Sequence, residues 1–152
     1  MGLSLSIDPS GLLAANQVLQ EIQLKVSDIS AAAPAIRLLI QEDVDFRFAN
    51  APATETGGEV YGGVQWKSLS EASFIQRPYR RGGQLLRDTG ELMQSLTAEG
   101  HPYNVFSVTS SEIVFGTALA KAGRLQSDRP FIFWHPILVQ KIADYLAGWL
   151  TL

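Results

Sequence analysis

The sequence predicts an α+β domain in which helices pack on an antiparallel sheet of about four strands. Three observations lead to this prediction: helical apolar stripes open the chain, alternating segments follow Gly100, and another helical stripe ends it. The 152 residues are 46% hydrophobic and 18% charged, which is enough apolar material for the core of one domain. We therefore expect residues 1–152 to form a single domain.

The N-terminal third of the chain predicts one short strand and two long helices. Leu3, Leu5 and Ile7 alternate with serines as an edge strand does, and Asp8 with Pro9 then provides a helix start. The first helical stripe comprises Leu12, Ala15, Leu19, Ile22, Val26 and Ile29. This helix is expected either to pack on its own domain or to lie along a neighbouring subunit.

A second long helix is predicted to begin near Pro34, after an interruption at residues 30–33. Its apolar positions are Ile36, Leu39, Ile40, Val44, Phe46 and Phe48. Its polar side is expected to consist of Gln41, Glu42, Asp43 and Asp45. This pattern predicts a helix with one face in the core and the other in solvent.

Two long loops are predicted, over residues 49–65 and 116–128. The first is rich in glycine and has no helical or strand period, and its large side chains are Tyr61 and the following Trp66. We expect a partner protein, rather than the chain's own domain, to order this loop. Tyr61 and Trp66 are therefore candidate interface residues.

Residues 67–87 are the most basic part of the chain, with five of the 12 cationic side chains and one acid, Glu71. The cations are Lys67, Arg77, Arg80, Arg81 and Arg87. Two interpretations are equally weighted: a solvated face, or contact with an acidic partner surface or passing DNA. A net charge of -3 excludes a uniformly basic nucleic-acid coat.

The C-terminal half predicts a short helix, three strands and a last helix. Asp88 and Glu91 have the spacing of a capping box that starts the short helix, which ends at Gly100. Strands are expected at residues 103–109, 113–115 and 131–134. The last helix starts near Pro136, and its stripe consists of Leu138, Ile142, Tyr145, Leu146 and Trp149.

No constellation of catalytic or ligand-binding side chains is evident in the sequence. The chain has no cysteine, and its two histidines follow no metal-ligand spacing. His101 is expected in a solvent-exposed turn and His135 at a helix cap or an interface. Phosphate-binding glycine motifs are missing, and no apolar run approaches the roughly 18 residues that span a bilayer. We therefore expect no catalysis, cofactor, metal or membrane.

Four short elements resemble the virion morphogenesis, or tail-completion, proteins of Mu-like and P2-like contractile-tailed phages. Residues 85–96, LLRDTGELMQSL, resemble the family pattern L-x-x-T/D-T-G-x-L-x-x-S-I/L. Residues 63–70 resemble G-x-x-W-x-x-L-S, and residues 129–132 resemble R-P-F-L. Residues 105–108 and 113–117 resemble a strand pair that ends (I/V)-x-x-G-(S/T). Residues 116–123 depart from the family's Y-A-x-x-H-Q-x-G, because the Tyr, His and Gln are missing.

The resemblance implies a structural protein that completes the tail or joins it to the head at the neck. Its expected partners are further copies of itself in a six-fold ring, the tail tube and sheath, and neck or connector proteins, with non-specific contact to passing DNA. The expected location is the virion, with the host cytoplasm during assembly. A nucleic-acid-binding or regulatory module that uses residues 77–87 is the alternative.

Overall fold

The computed structural model describes residues 2–6 and 24–151 of the chain and confirms the α+β class. The strands are β1 (Gly2–Ser6), β2 (Gly58–Val60), β3 (Val64–Trp66), β4 (Asn104–Val108) and β5 (Glu112–Thr117). The α-helices are α1 (Ala33–Ala49), α2 (Glu71–Gln76), α3 (Glu91–Thr97), α4 (Ala122–Asp128) and α5 (Pro136–Thr151). Short 3-10 helices cover Ser30–Ala32 and Pro78–Arg80.

The strands form two antiparallel sheets rather than a single sheet of about four strands. The larger sheet has the order β1-β5-β4, with Leu3 opposite Phe115 and Phe106 opposite Phe115 on the other side. β1 is thus an edge strand, as its serine alternation predicted. β2 and β3 form a separate hairpin.

Helix α1 is the second predicted helix, and it supplies the centre of the core. Ile36, Ile40, Val44 and Phe48 recur every four residues and are buried, because this spacing places them on one face of the helix. α1 packs on α3, α5 and β5. The start of the first predicted helix lies outside the described residues; of its stripe, Val26 and Ile29 are described and buried.

Only part of the predicted polar side of α1 is exposed to solvent. Glu42 and Asp45 are exposed, but Gln41 and Asp43 are buried. Asp43 is stabilised there by Arg47 and His135, whereas Phe46, which was placed in the apolar stripe, is 53% exposed. A charged partner one turn away and a long-range partner, His135, together allow Asp43 to be buried against the helical pattern.

Residues 49–65 are ordered by their own domain, which corrects the prediction of a partner-ordered loop. Thr54 is buried, Ala53 bridges to Gln84, and Val60 and Trp66 bury one face of the β2–β3 hairpin. The hairpin turn needs Gly62 and Gly63, whose φ angles of 105° and 88° disfavour other residues. Strands of three residues are too short to show a period in the sequence.

The prediction of a loop over residues 116–128 is also wrong. β5 extends to Thr117, and α4 covers most of the remaining segment. In its sequence, AGRLQSD, only Ala122 is buried, and Leu125 and Gln126 are half-buried. The sequence therefore contains no apolar stripe that would predict helix α4.

Residues 131–134 do not form the predicted strand, although Phe131 and Ile132 are buried. The Gln126 side chain accepts hydrogen bonds from both backbone amides and donates one to the Ile132 carbonyl. Arg47 donates to the Phe131 carbonyl at 2.8 Å. Side chains thus satisfy the buried backbone groups that a strand would pair in a sheet.

Helix α3 starts without the predicted capping box. Gly90 is the N-cap, in the left-handed conformation, and the Thr89 hydroxyl accepts a hydrogen bond from the Glu91 amide. Asp88 instead accepts hydrogen bonds from Arg77 and Tyr79. The positive φ of Gly90 (82°) turns the chain, and Asp88 does not cap the helix.

Helix α5 is confirmed as predicted. Leu138 and Ile142 are buried, while Tyr145, Leu146 and Trp149 pack more loosely against the same core. Within the described ranges, no helix combines the length and the apolarity needed to cross a bilayer.

Candidate functional site

A groove of about 690 Å³ lies between residues 67–92 and α4. We call it the basic groove, because its lining holds twice as many cationic side chains as carboxylates. The cations are Lys67, Arg77, Arg80, Lys121, Arg124 and Arg129, and the carboxylates are Asp88, Glu91 and Asp128. Leu69, Leu86 and Leu125 supply apolar lining.

Two of the arginines build the wall of the basic groove. Arg80 is 8% exposed and donates to the backbone carbonyls of Gln84 (2.9 Å) and Arg87 (3.3 Å). Arg129 is equally buried and donates to the carbonyls of Lys67 and Ser68. Burial lowers the pKa of Arg129, while Asp128 opposes that shift. Both guanidinium groups are therefore structural donors.

The remaining four cations differ in how far they are neutralised. Lys67 lies 3.6 Å from Asp128, and Arg77 lies 3.3 Å from Asp88. Lys121 and Arg124 are exposed and have no ion pair or side-chain hydrogen bond within the described ranges. The available positive charge of the groove is therefore concentrated at the start of α4, where it can bind acidic groups.

The structure brings only some of the sequence-predicted residues into this groove. Arg77 and Arg80 line it, together with the predicted cap residues Asp88 and Glu91. Arg81 lies outside it, pairs with Glu71 at 2.7 Å and stacks over Phe74. Arg87, also outside, is exposed and donates to the Gln84 side chain at 2.9 Å. The arginines of residues 77–87 therefore do not form one continuous surface.

Neither of the two aromatic residues predicted at an interface has its whole side chain exposed for binding a partner. Trp66 is 1% exposed, and its indole N–H donates to the Pro130 carbonyl at 2.7 Å, so it belongs to the core. Tyr61 is half-buried and meets the rings of Phe46 and His135 edge-on. The sequence does not mark Lys121 and Arg124 as site residues, because residues 116–128 show no apolar stripe and are predicted to form a loop.

A second cluster of charged groups is fully enclosed. Asp43 lies 2.7 Å from the Arg47 guanidinium and 2.5 Å from His135 Nε2, and all three residues are buried. Arg47 also donates to the carbonyls of Tyr61 and Phe131. Burial lowers the pKa of Arg47, while the Asp43 carboxylate opposes that shift. Such a buried pair costs desolvation and persists through its full set of hydrogen bonds.

His135 sits immediately before α5, as the sequence predicted for a helix cap, and its carbonyl accepts from Val139. Its Nδ1 has no hydrogen-bond partner within the described ranges. The ring lies against Tyr61 and Phe133 rather than in the basic groove. His101, the other histidine, accepts from the Tyr103 amide in a turn and is half-buried. Among the described side chains, no cluster of three or more potential ligands suits a metal ion.

Hydrogen bonds connect the four sequence elements that carry the family resemblance in two pairs, and each element contributes side chains to the same hydrophobic core. Residues 63–70 and 129–132 donate hydrogen bonds to each other: Trp66 donates to the Pro130 carbonyl, and Arg129 donates to the carbonyls of Lys67 and Ser68. The Ser95 and Thr117 hydroxyls, 2.8 Å apart, join residues 85–96 to the end of β5. These elements are thus parts of one core rather than four separate surface sites.

Comparison of the chain with protein-family models, with curated proteins and with solved structures finds no match.

Proposed function

We propose that this chain is a structural virion protein of a tailed phage, which completes the tail or joins it to the head without catalysis. The observation that carries the proposal is that the four resembling elements pack into one hydrophobic core and are joined in two pairs by hydrogen bonds. Each element is weak evidence by itself. Their interdependence in one core is what a motif set that specifies a common fold requires.

The exposed apolar side chains support an assembly role. Ile75 and Tyr79 are 72% and 68% exposed, and Trp134, Ile137 and Val139 form another exposed group at the start of α5. Contiguous exposed apolar patches are typical of surfaces that become buried against partners. A ring subunit needs two different patches of this kind, because its contacts are head-to-tail.

The proposal is tested by deleting the coding sequence from the phage genome that carries it and examining the particles by electron microscopy. We expect tails that are unattached to heads or abnormal at their upper end, with recovery when the intact chain is supplied. The labelled chain should then be found in purified virions, at the tail or neck. Normal infectious particles from the deletion would contradict the proposal.

A nucleic-acid-binding role is the second candidate, and the excess of cations in the basic groove favours it. Such a module would bind DNA with an affinity that falls steeply as salt rises, because bound counterions are released. Fluorescence anisotropy with labelled single- and double-stranded DNA across a salt series tests this directly. Assembly without nucleic acid, combined with no DNA binding at low salt, would eliminate this candidate.

A further inference from the structure

The exposed face of α1 carries an acidic surface opposite in charge to the basic groove. We define the acidic strip as Leu38, Glu42, Asp45 and Phe46, which lie on one face of the helix. All four are exposed, with Leu38 at 56% and Phe46 at 53%. None of them lines the basic groove, so the two surfaces are separate.

The two carboxylates of the acidic strip are held in an unfavourable arrangement. Glu42 and Asp45 are three residues apart, at the spacing where like charges on a helix repel. Neither carboxylate has an ion pair or a side-chain hydrogen bond within the described part of the chain. Partial burial also raises the pKa of Asp45, since it disfavours the charged form. A cationic surface would relieve these costs.

The free cations of the basic groove have the matching arrangement. Lys121 is the N-cap of α4 and has helical backbone angles, and Arg124 lies in the first turn of the helix. The two cations are therefore three residues apart on a helix, as Glu42 and Asp45 are. Cations at the start of a helix also oppose its dipole, and the first turn contains no acid. Leu86 and Leu125 beside them can receive apolar side chains.

We propose that the acidic strip of one copy of this chain docks in the basic groove of a second copy. Glu42 and Asp45 then face Lys121 and Arg124, and Leu38 packs on the leucines of the groove. The contact is head-to-tail, because each copy contributes a different surface, and repetition of it produces a ring or a filament. This inference rests on the assembly role proposed above and names the partner of the groove.

Two features favour a second copy over DNA as the occupant. The groove is lined by several leucines, which suit a mixed acidic and apolar protein surface better than a phosphate backbone. The whole chain carries a net charge of -3 although the groove is cationic, so its other surfaces carry the excess of acid. The acidic strip supplies this charge next to exposed apolar groups.

Charge-reversal variants of the full chain test the proposal by light scattering and sedimentation over a range of concentration and salt. The wild type should associate, and less so at high salt, which screens exposed charges. The variant K121E/R124E and the variant E42K/D45K should each have an association affinity at least about tenfold lower than that of the wild type. Circular dichroism monitors folding, and reversal at α4 is compatible with its dipole.

Mixing the two variants makes the experiment decisive. Neither variant pairs with itself, but each groove is complementary to the strip of the other variant, so an equimolar mixture should associate again. Rings of the mixture should contain even numbers of subunits, since the two variants alternate. K141E and E59K serve as matched controls, because both residues are exposed and lie outside the two surfaces.

A wild type that stays monomeric at the highest soluble concentration would overturn the proposal. So would a mixture of folded variants that fails to recover association, or controls that weaken it equally. These outcomes are independent of the particle experiment. If the mixture recovers while the gene deletion yields normal particles, the copy-to-copy contact stands and the virion role fails.

Discussion

At the scale of single residues, neighbours in sequence can have opposite roles. Arg80 and Arg81 both belong to the basic segment, but Arg80 is buried against backbone carbonyls whereas Arg81 is half-exposed beside Glu71. The 3-10 helix Pro78–Arg80 turns one side chain inward and ends before the other. Charge in a sequence therefore does not identify which arginine is available for binding.

The two arginines should respond differently to charge reversal. Arg80→Glu places a carboxylate against two carbonyl oxygens in a buried site, and we expect a loss of about 3 kcal/mol or more in the free energy of unfolding. Arg81→Glu removes an exposed ion pair and an exposed stacking contact with Phe74, each of which contributes about 1 kcal/mol or less. Urea unfolding of both variants measures the difference. Equal losses would contradict the burial assigned to Arg80.

Asp45 should reduce the stability of the single chain at neutral pH. Its folded-state pKa lies above the unfolded value because of partial burial, so the ionised carboxylate is unfavourable when the pH exceeds both values. Asp45→Asn should therefore raise the melting temperature at pH 7. The difference should shrink as the pH falls through the folded-state pKa, since the wild-type group then becomes neutral.

The same Asp45→Asn variant should associate more weakly than the wild type if the acidic strip docks in the basic groove. Melting curves at several pH values and light scattering on the same samples measure both effects. A gain in stability with unchanged association would remove Asp45 from the contact.

At the scale of elements, the long helices and the short hairpin are specified in different ways. α1 and α5 repeat apolar residues over four or more turns, so their periodicity shows in the sequence. The β2–β3 hairpin has three residues in each strand and depends on its glycine turn and on contacts with distant segments. Its identity as an element is decided by packing.

Gly62 is the residue at which the β2–β3 hairpin depends most directly on both its turn conformation and its packing against a distant segment. A Cβ built there would lie 2.7 Å from the Phe133 ring, and the φ of 105° is strained for any other residue. We expect Gly62→Ala to lower the free energy of unfolding by about 2 kcal/mol. Gly100→Ala is the control, because its Cβ would meet nothing within 4 Å and its φ is not positive. Chemical denaturation of both variants makes the comparison, and equal effects would argue against a packed hairpin.

At the scale of the whole molecule, Arg47 ties distant segments together. From α1 it donates to the hairpin at Tyr61 and to residue Phe131, and through Asp43 it is linked to His135 at the start of α5. Its guanidinium also lies 4.2 Å from the Phe133 ring centre. These contacts join four separate parts of the chain around one side chain with no exposed surface.

Loss of Arg47 should destabilise the entire fold. Arg47→Met removes the cationic partner of Asp43, which keeps only His135, and the donor to two carbonyls, so we expect a loss of about 3–5 kcal/mol. The double variant D43N/R47M should recover part of this loss, because no buried carboxylate then lacks its guanidinium partner. Thermal and urea unfolding measure both, with K141M as an exposed control. A small effect of Arg47→Met would contradict the role of the buried cluster.

The sequence alone determined the α+β class, α1, α5, the β4–β5 pair and the edge strand β1, because these elements display their own apolar periodicity or turn residues. It also indicated the basic segment and, through its motif residues, a relationship to tail-completion proteins that stays a proposal. Of the site, it identified Arg77 and Arg80 but not Lys121 and Arg124, which lie in a segment that the sequence predicts to be a loop.

Only the tertiary structure decided which polar residues are buried and which are free. Asp43, Arg47, Arg129 and Trp66 are enclosed because partners far along the chain satisfy their hydrogen bonds, whereas Arg80 is enclosed by the carbonyls of its own turn. Asp88 binds Arg77 instead of capping α3, and residues 131–134 are held by side chains instead of a strand ladder. Short elements with few apolar residues take their conformation from such long-range contacts, which a local pattern does not contain.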